Sequence, residues 1–170
     1  MKLNISAEGI KFIQTFEGFL PEAVLDGNHY SIGWGHNGPD VKPGQKITKA
    51  KATVLFTKDL EWVEDVIDNE VKVPLLQHEY DALASLIYNI GGPQFQESQL
   101  LKRLNAGDRI PAAAHFTRFN KFKGSVKAGL VRRRAAEKAL FLGLSHTQAL
   151  KKGDEEYGIY NQRVQASRAR

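Results

Sequence analysis

Two acidic side chains are the first residues in this sequence whose type and setting could do chemistry. Glu17 and Asp26 lie nine positions apart, where a helical pattern gives way to glycine-rich turns. A carboxyl that holds its proton can act as general acid toward a leaving-group oxygen, while a second, ionised one acts as base. Glu17 falls in the last turn of a helical pattern, facing the negative end of the helix dipole. Phe16, Phe19 and Leu20 offer it an apolar wall. A solvated surface position is the commoner state of a glutamate, yet a helix built only for stability would carry Lys or Arg here. Asp26-Gly27 is equally a turn signature, so Asp26 alone reads either as turn former or as catalytic base. Neither helix nor strand geometry forces the two carboxylates onto one face, but a turn between them can aim both into a cleft.

The elements that must position them can be read from caps, stops and periodicity. Ser6 is a good N-cap, Ile10, Phe12, Ile13 and Phe16 recur at helical spacing, and Gly18 offers a stop, predicting a helix from about Ser6 to Glu17. Gly27, Gly33, Gly35, Gly38, Pro39, Pro43 and Gly44 then punctuate a turn-rich β section. Thr48 caps a predicted long helix running to about Asp68, with Ala52, Phe56, Leu60, Val63 and Ile67 on one face. A further helix carries Tyr80, Leu83, Ala84 and Ile87 and is halted by Gly91-Gly92-Pro93. Shorter helices are expected from Ser98 to about Leu104, Pro111 to about Phe119 and Gly129 to about Leu142. From Gly143 onward the apolar residues show no sustained period, which leaves an extra helix and a segment wrapped over the surface as the two readings.

The 170 residues include 42% hydrophobic and 25% charged side chains, ordinary values for a folded domain. There is no cysteine, which excludes disulfides and thiolate metal sites. The five histidines show no metal-ligand spacing, and no metal or cofactor is required. No apolar run is long enough for a signal peptide or a membrane span. The net charge of +5 favours an anionic partner, whether nucleic acid, an acidic membrane face or an acidic wall polymer. No aromatic-and-basic motif supports specific nucleic-acid binding.

The run from Ile10 to His36, with Phe16-Glu17-Gly18, Asp26-Gly27 and Ser31-Ile32-Gly33-Trp34-Gly35-His36, closely resembles the phage-type lysozymes, the endolysin muramidases. Later blocks look like that family in the same order: Asp81-Ala82-Leu83 with Tyr88-Asn89-Ile90-Gly91, Phe95 through Ser98-Gln99-Leu100-Leu101 to Asp108, and Gly129 through Arg132-Arg133-Arg134 to Glu137. Together they cover about Ser6 to Gly143. The resemblance implies a hydrolase that cuts the β-1,4 bond between N-acetylmuramic acid and N-acetylglucosamine of peptidoglycan and so lyses the host cell. It also implies Glu17 as general acid, Asp26 as the second catalytic carboxylate, and Ser31 where the family usually has Thr. Asp26 and Ser31 would orient a water opposite the leaving group. Carboxyl groups roughly 6.5–9.5 Å apart give inversion, and a gap of about 5 Å gives retention.

This chain departs from the family pattern between Asp26 and Ser31. They enclose Gly27, Asn28, His29 and Tyr30, one residue fewer than the family commonly has. Serine also lacks the methyl that restricts a threonine rotamer, though its hydroxyl survives. His36 matches a family histidine and reads mainly as structural, a partner for a nearby carboxylate. Arg133 is the expected ion-pair partner of Glu17. The basic run from Arg118 to Arg134 reads first as a solvated helix face, and otherwise as attraction to anionic cell-envelope polymers.

The expected fold is α+β and mainly α, a two-lobed lysozyme-like architecture with a small N-terminal β-sheet and a helical C-terminal lobe. It would be a single catalytic domain over 1–170, with a lobe at 1–47, a linking helix at 48–69 and a helical lobe at 70–170. A monomer is expected, made in the host bacterial cytoplasm and reaching the wall after a holin permeabilises the membrane.

Overall fold

The computed structural model describes residues 2–169. The chain forms two compact units, one of Ile10–Trp62 and one combining the residues up to Gly9 with those from Val63 onward.

Helix α1 (Ala7–Glu17) begins and ends where local chemistry places it. The Ser6 hydroxyl accepts the Gly9 amide at 2.9 Å, and Gly18 closes the helix at φ 71°. Phe12 and Ile13 are buried. Strands β1 (Leu20–Asp26), β2 (His29–Gly33) and β3 (His36–Asn37) then form an antiparallel sheet in that order. The β1–β2 register is irregular between Leu20 and Val24, where Pro21 has no amide to give. That stretch bonds instead to the segment after β3, with the Ala23 amide on the Gln45 carbonyl (2.8 Å) and the Ile47 amide on the Pro21 carbonyl (3.0 Å).

The expected helix from Thr48 to Asp68 is in fact two, α2 (Lys49–Asp59) and α3 (Glu61–Glu70), joined at Leu60. Thr48 caps α2 as expected, its hydroxyl accepting the Lys51 amide. Ala52, Phe56, Leu60, Val63 and Ile67 are all buried, so the apolar stripe is right although the helix is broken. No glycine or proline marks the break. The Thr57 hydroxyl bonds back to the Thr53 carbonyl at 2.9 Å, a contact that bends helices, and Leu60 shares its amide between the Phe56 and Thr57 carbonyls.

In the other unit α4 (Gln77–Ile90) is central and buried from Glu79 through Ile87. Its Asp81 carboxylate accepts the Ser6 amide (3.0 Å), the Ser6 hydroxyl (2.5 Å), the Gln77 amide (2.9 Å) and a bond from His146 (3.1 Å). Gly91 ends α4, but Pro93 opens the short α5 (Gly92–Gln96) rather than halting the fold, as a proline in a first turn can. Ser98 caps α6 (Gln99–Asn105), with the Leu101 amide on its hydroxyl. The helix expected over Pro111 to Phe119 is α7 (Arg109–Ala114) followed by a 3-10 turn (Phe116–Arg118).

The basic run is not one solvated helix face. It holds a hairpin, β4 (Lys121–Phe122) with β5 (Ser125–Val126), and then the start of α8 (Ala128–Phe141), in which Arg133 and Arg134 are buried.

Beyond Gly143, where periodicity is unreadable, lies α9 (His146–Arg168). A capping box starts it: Ser145 accepts the Gln148 amide, and the Gln148 side chain accepts the Ser145 amide. It packs on α8 through Ala149 and Gly153. A Cβ at Gly153 would lie 2.6 Å from the Arg132 carbonyl oxygen and 3.0 Å from the Ala136 Cβ. Alanine usually gains about 1 kcal/mol over glycine within a helix. Here Gly153→Ala is expected to destabilise the chain by about 1–3 kcal/mol through overpacking. Denaturant titration checks this, and a gain in stability would contradict the close α8–α9 packing. Among the described residues no helix is long and apolar enough to cross a membrane.

Candidate active site

Glu17, Asp26, Ser31 and His36 all belong to the same unit. Glu17 is the last residue of α1 and is half-buried. Asp26 ends β1 and is exposed, directly opposite His29 across a two-residue loop of Gly27 and Asn28. Gly27 has φ 62°, and Asn28 is not among the residues of positive φ, the pattern of a type II′ hairpin with glycine at its first loop position. Ser31 lies on β2 opposite Val24 and is 7% exposed.

This register settles what the shortened turn does to Asp26 and Ser31. Side chains alternate along a strand, so Val24 and Asp26 share a face, and residues directly opposite share it too. Asp26 and Ser31 therefore sit on one face of the β1–β2 ribbon as diagonal neighbours, about 7–8 Å apart by ladder geometry. A carboxylate and a hydroxyl so spaced can hold one water between them. Losing a loop residue leaves both on the same side.

His36 is clamped by two carboxylates, its Nδ1 2.8 Å from Asp59 and its Nε2 3.1 Å from Asp40. Burial works against its charge, but the hydrogen bonds to Asp59 and Asp40 outweigh that and raise its pKa above the ordinary 6.5. The arrangement is structural, tying β3 to the end of α2. Because the folded state holds the proton more tightly, this stabilisation is complete below about pH 6.5 and fades as pH rises through the raised folded value. Replacing His36 by Asn should flatten that part of the pH profile. Melting curves from pH 5 to pH 9 check it, and an unchanged slope would contradict the clamp.

Phe19 and Trp34 pack with ring centroids 4.9 Å apart, and the Lys49 ammonium lies 5.6 Å from the Phe19 ring. Gly33, at φ 65°, lets β2 lie against α2, since a Cβ there would come within 2.8 Å of the Ala52 Cβ.

Arg133 belongs to the other unit, where its Nε donates to Glu137 (3.0 Å) and its Nη2 to the Ser85 carbonyl (2.9 Å). Arg134 joins the same carboxylate at 2.7–2.8 Å, and the Ser85 hydroxyl donates to it at 2.7 Å. Sequence reading missed this buried network, the His36 partners Asp40 and Asp59, and the bonding role of Asp81. Signals existed for part of it: Asp40 is four residues from His36, and Glu137 is four and three residues from the two arginines.

The chain is mainly helical with a small antiparallel sheet, and comparison with known proteins shows that this α+β arrangement is lysozyme-like. The phage lysozyme family matches residues 14–137. The endolysin of Salmonella phage P22 is 41% identical over 145 residues, covering 82% of this chain and 99% of the relative. The endolysin of Bacillus phage PZA is 44% identical over 142 residues, and this chain spans about half of its length, 55%. The muramidase domain of SpmX from Asticaccaulis excentricus superposes with a TM-score of 0.77 at 36% identity, covering 83% of this chain and 99% of that one. The chain belongs to the phage lysozyme family. Helix α9 lies beyond the matched span.

Proposed function

We propose that this protein is an endolysin, a peptidoglycan hydrolase that cleaves the β-1,4 bond between N-acetylmuramic acid and N-acetylglucosamine. The observation that carries this reading is the shared face of Asp26 and Ser31 at the hairpin following Glu17, within a span that matches phage lysozymes. Glu17 donates its proton to the glycosidic oxygen as the bond to the muramic C1 breaks. A water positioned by Asp26 and the Ser31 hydroxyl attacks C1, and its proton passes to Asp26. Arg133 is kept as a supporting residue, as the family resemblance implies. The chain acts as one catalytic domain and as a monomer, without metal or cofactor. It meets the wall once a holin has opened the host membrane.

The test is release of reducing ends from purified peptidoglycan. Asp26→Asn is expected to lower the rate about a hundredfold or more. Ser31→Ala should lower it by about fivefold, the worth of one hydrogen bond, while Ser31→Thr keeps the hydroxyl and the activity. Full activity of Asp26→Asn would remove Asp26 from the mechanism.

A further inference from the structure

The β4–β5 hairpin is an exposed, chemically mixed surface that the catalytic reading leaves unused. Its register fixes what each face carries. Lys121 opposes Val126 and Phe122 opposes Ser125, and the bond from the Lys127 amide to the Asn120 carbonyl (3.0 Å) extends the ladder by one pair. Alternation along the strands puts Asn120, Phe122, Ser125 and Lys127 on one face, and Lys121 and Val126 on the other. Phe122 is 58% exposed; Ser125 and Lys127 are exposed as well, and Asn120 is half-buried.

The turn holds the aromatic ring in place. Lys123 (φ 48°) and Gly124 (φ 78°) both adopt the left-handed region, as a type I′ turn requires. Lysine at the first position brings its ammonium to 5.5 Å from the Phe122 ring centroid, within cation–π range. No acidic residue occurs from Arg118 to Arg134, so the segment that carries the hairpin is itself strongly basic.

We propose that this face is an accessory binding surface for the acidic glycan of the wall. Phe122 stacks on the apolar face of a pyranose ring, and the Asn120 amide and Ser125 hydroxyl bond its acetamido and hydroxyl groups. Lys127 takes a carboxylate of the lactyl group or stem peptide. The inference rests on the muramidase reading for its choice of polymer. Insertion into an anionic lipid surface fits the register less well, because Phe122 and Val126 point to opposite faces and form no continuous apolar wedge.

Co-sedimentation with purified sacculi, in a Glu17→Gln background so that bound polymer is not cut, tests the proposal. Phe122→Ala and Lys127→Ala are each expected to weaken binding by about fivefold to tenfold, with the melting temperature unchanged, and Phe122→Trp should restore it. Variants that bind sacculi as tightly as their parent would overturn the proposal. So would variants whose loss is confined to phosphatidylglycerol vesicles, which would assign the hairpin to lipid instead. Hairpin-dependent sacculus binding by a chain whose Glu17 form releases no reducing ends would support the surface while removing the muramidase reading.

Discussion

Glu17→Gln should reduce bacteriolysis and reducing-end release by roughly a thousandfold, because an amide cannot donate the proton that the leaving glycosidic oxygen requires. The substitution is nearly isosteric and sits in the last turn of α1, outside its buried stripe of Phe12 and Ile13, so the helix keeps its packing and the protein is expected to fold. Turbidity loss of permeabilised cells and the melting temperature of the same preparation separate the two effects. Lysis at full strength by a folded Glu17→Gln protein would instead assign killing to physical disruption by the basic surface.

The largest expected effect on stability lies at Glu137. This carboxylate is wholly buried and takes charged bonds from Arg133 and Arg134, whose side chains are also almost or fully buried. Two buried guanidiniums bond this carboxylate. Removing one member of such a group leaves uncompensated charge in a low-dielectric interior. Glu137→Gln is expected to destabilise the fold by about 3–5 kcal/mol, lowering the melting temperature by about 10 °C or more. Both arginines would then face an amide that satisfies at most part of their demand. Thermal denaturation checks this, and a loss below about 1 kcal/mol would mean that water or another group carries the charge.

How much of this was legible beforehand depended on whether the determining interaction was local. The Ser6 cap and the Gly18 stop are each contained in a few residues, and α1 runs where they place it. The hairpin after β1 was equally legible as a turn at Asp26-Gly27. Only the paired register put Asp26 and Ser31 on one face. The apolar stripe from Ala52 to Ile67 was correct, yet it concealed the break at Leu60, because the buried residues keep steps of three and four through it. Helix α9, one of two readings open for that stretch, had no readable period for a related reason. Its buried contacts are made by Ala149 and Gly153, which have too little apolar surface to create a period. The capping box at Ser145 and Gln148 was the available signal.

Arg133 and Arg134 were the least legible, since a run of three arginines resembles a solvated surface. Burial of two of them follows from Glu137 one helical turn on and from Ser85, 48 residues from Arg133, and no local pattern links these groups. The resemblance drew attention to Arg133 for its expected pairing with Glu17; its bonds to Glu137 and Ser85 needed the fold.

Digestion of purified sacculi in 18O-labelled water, with mass spectrometry of the released fragments, tests the central claim most directly. Expected is one labelled oxygen at C1 of each new muramic reducing end, formed by the wild-type chain and lost with Glu17→Gln. Anhydromuramic ends carrying no label would contradict water attack at C1 and the role assigned to Asp26.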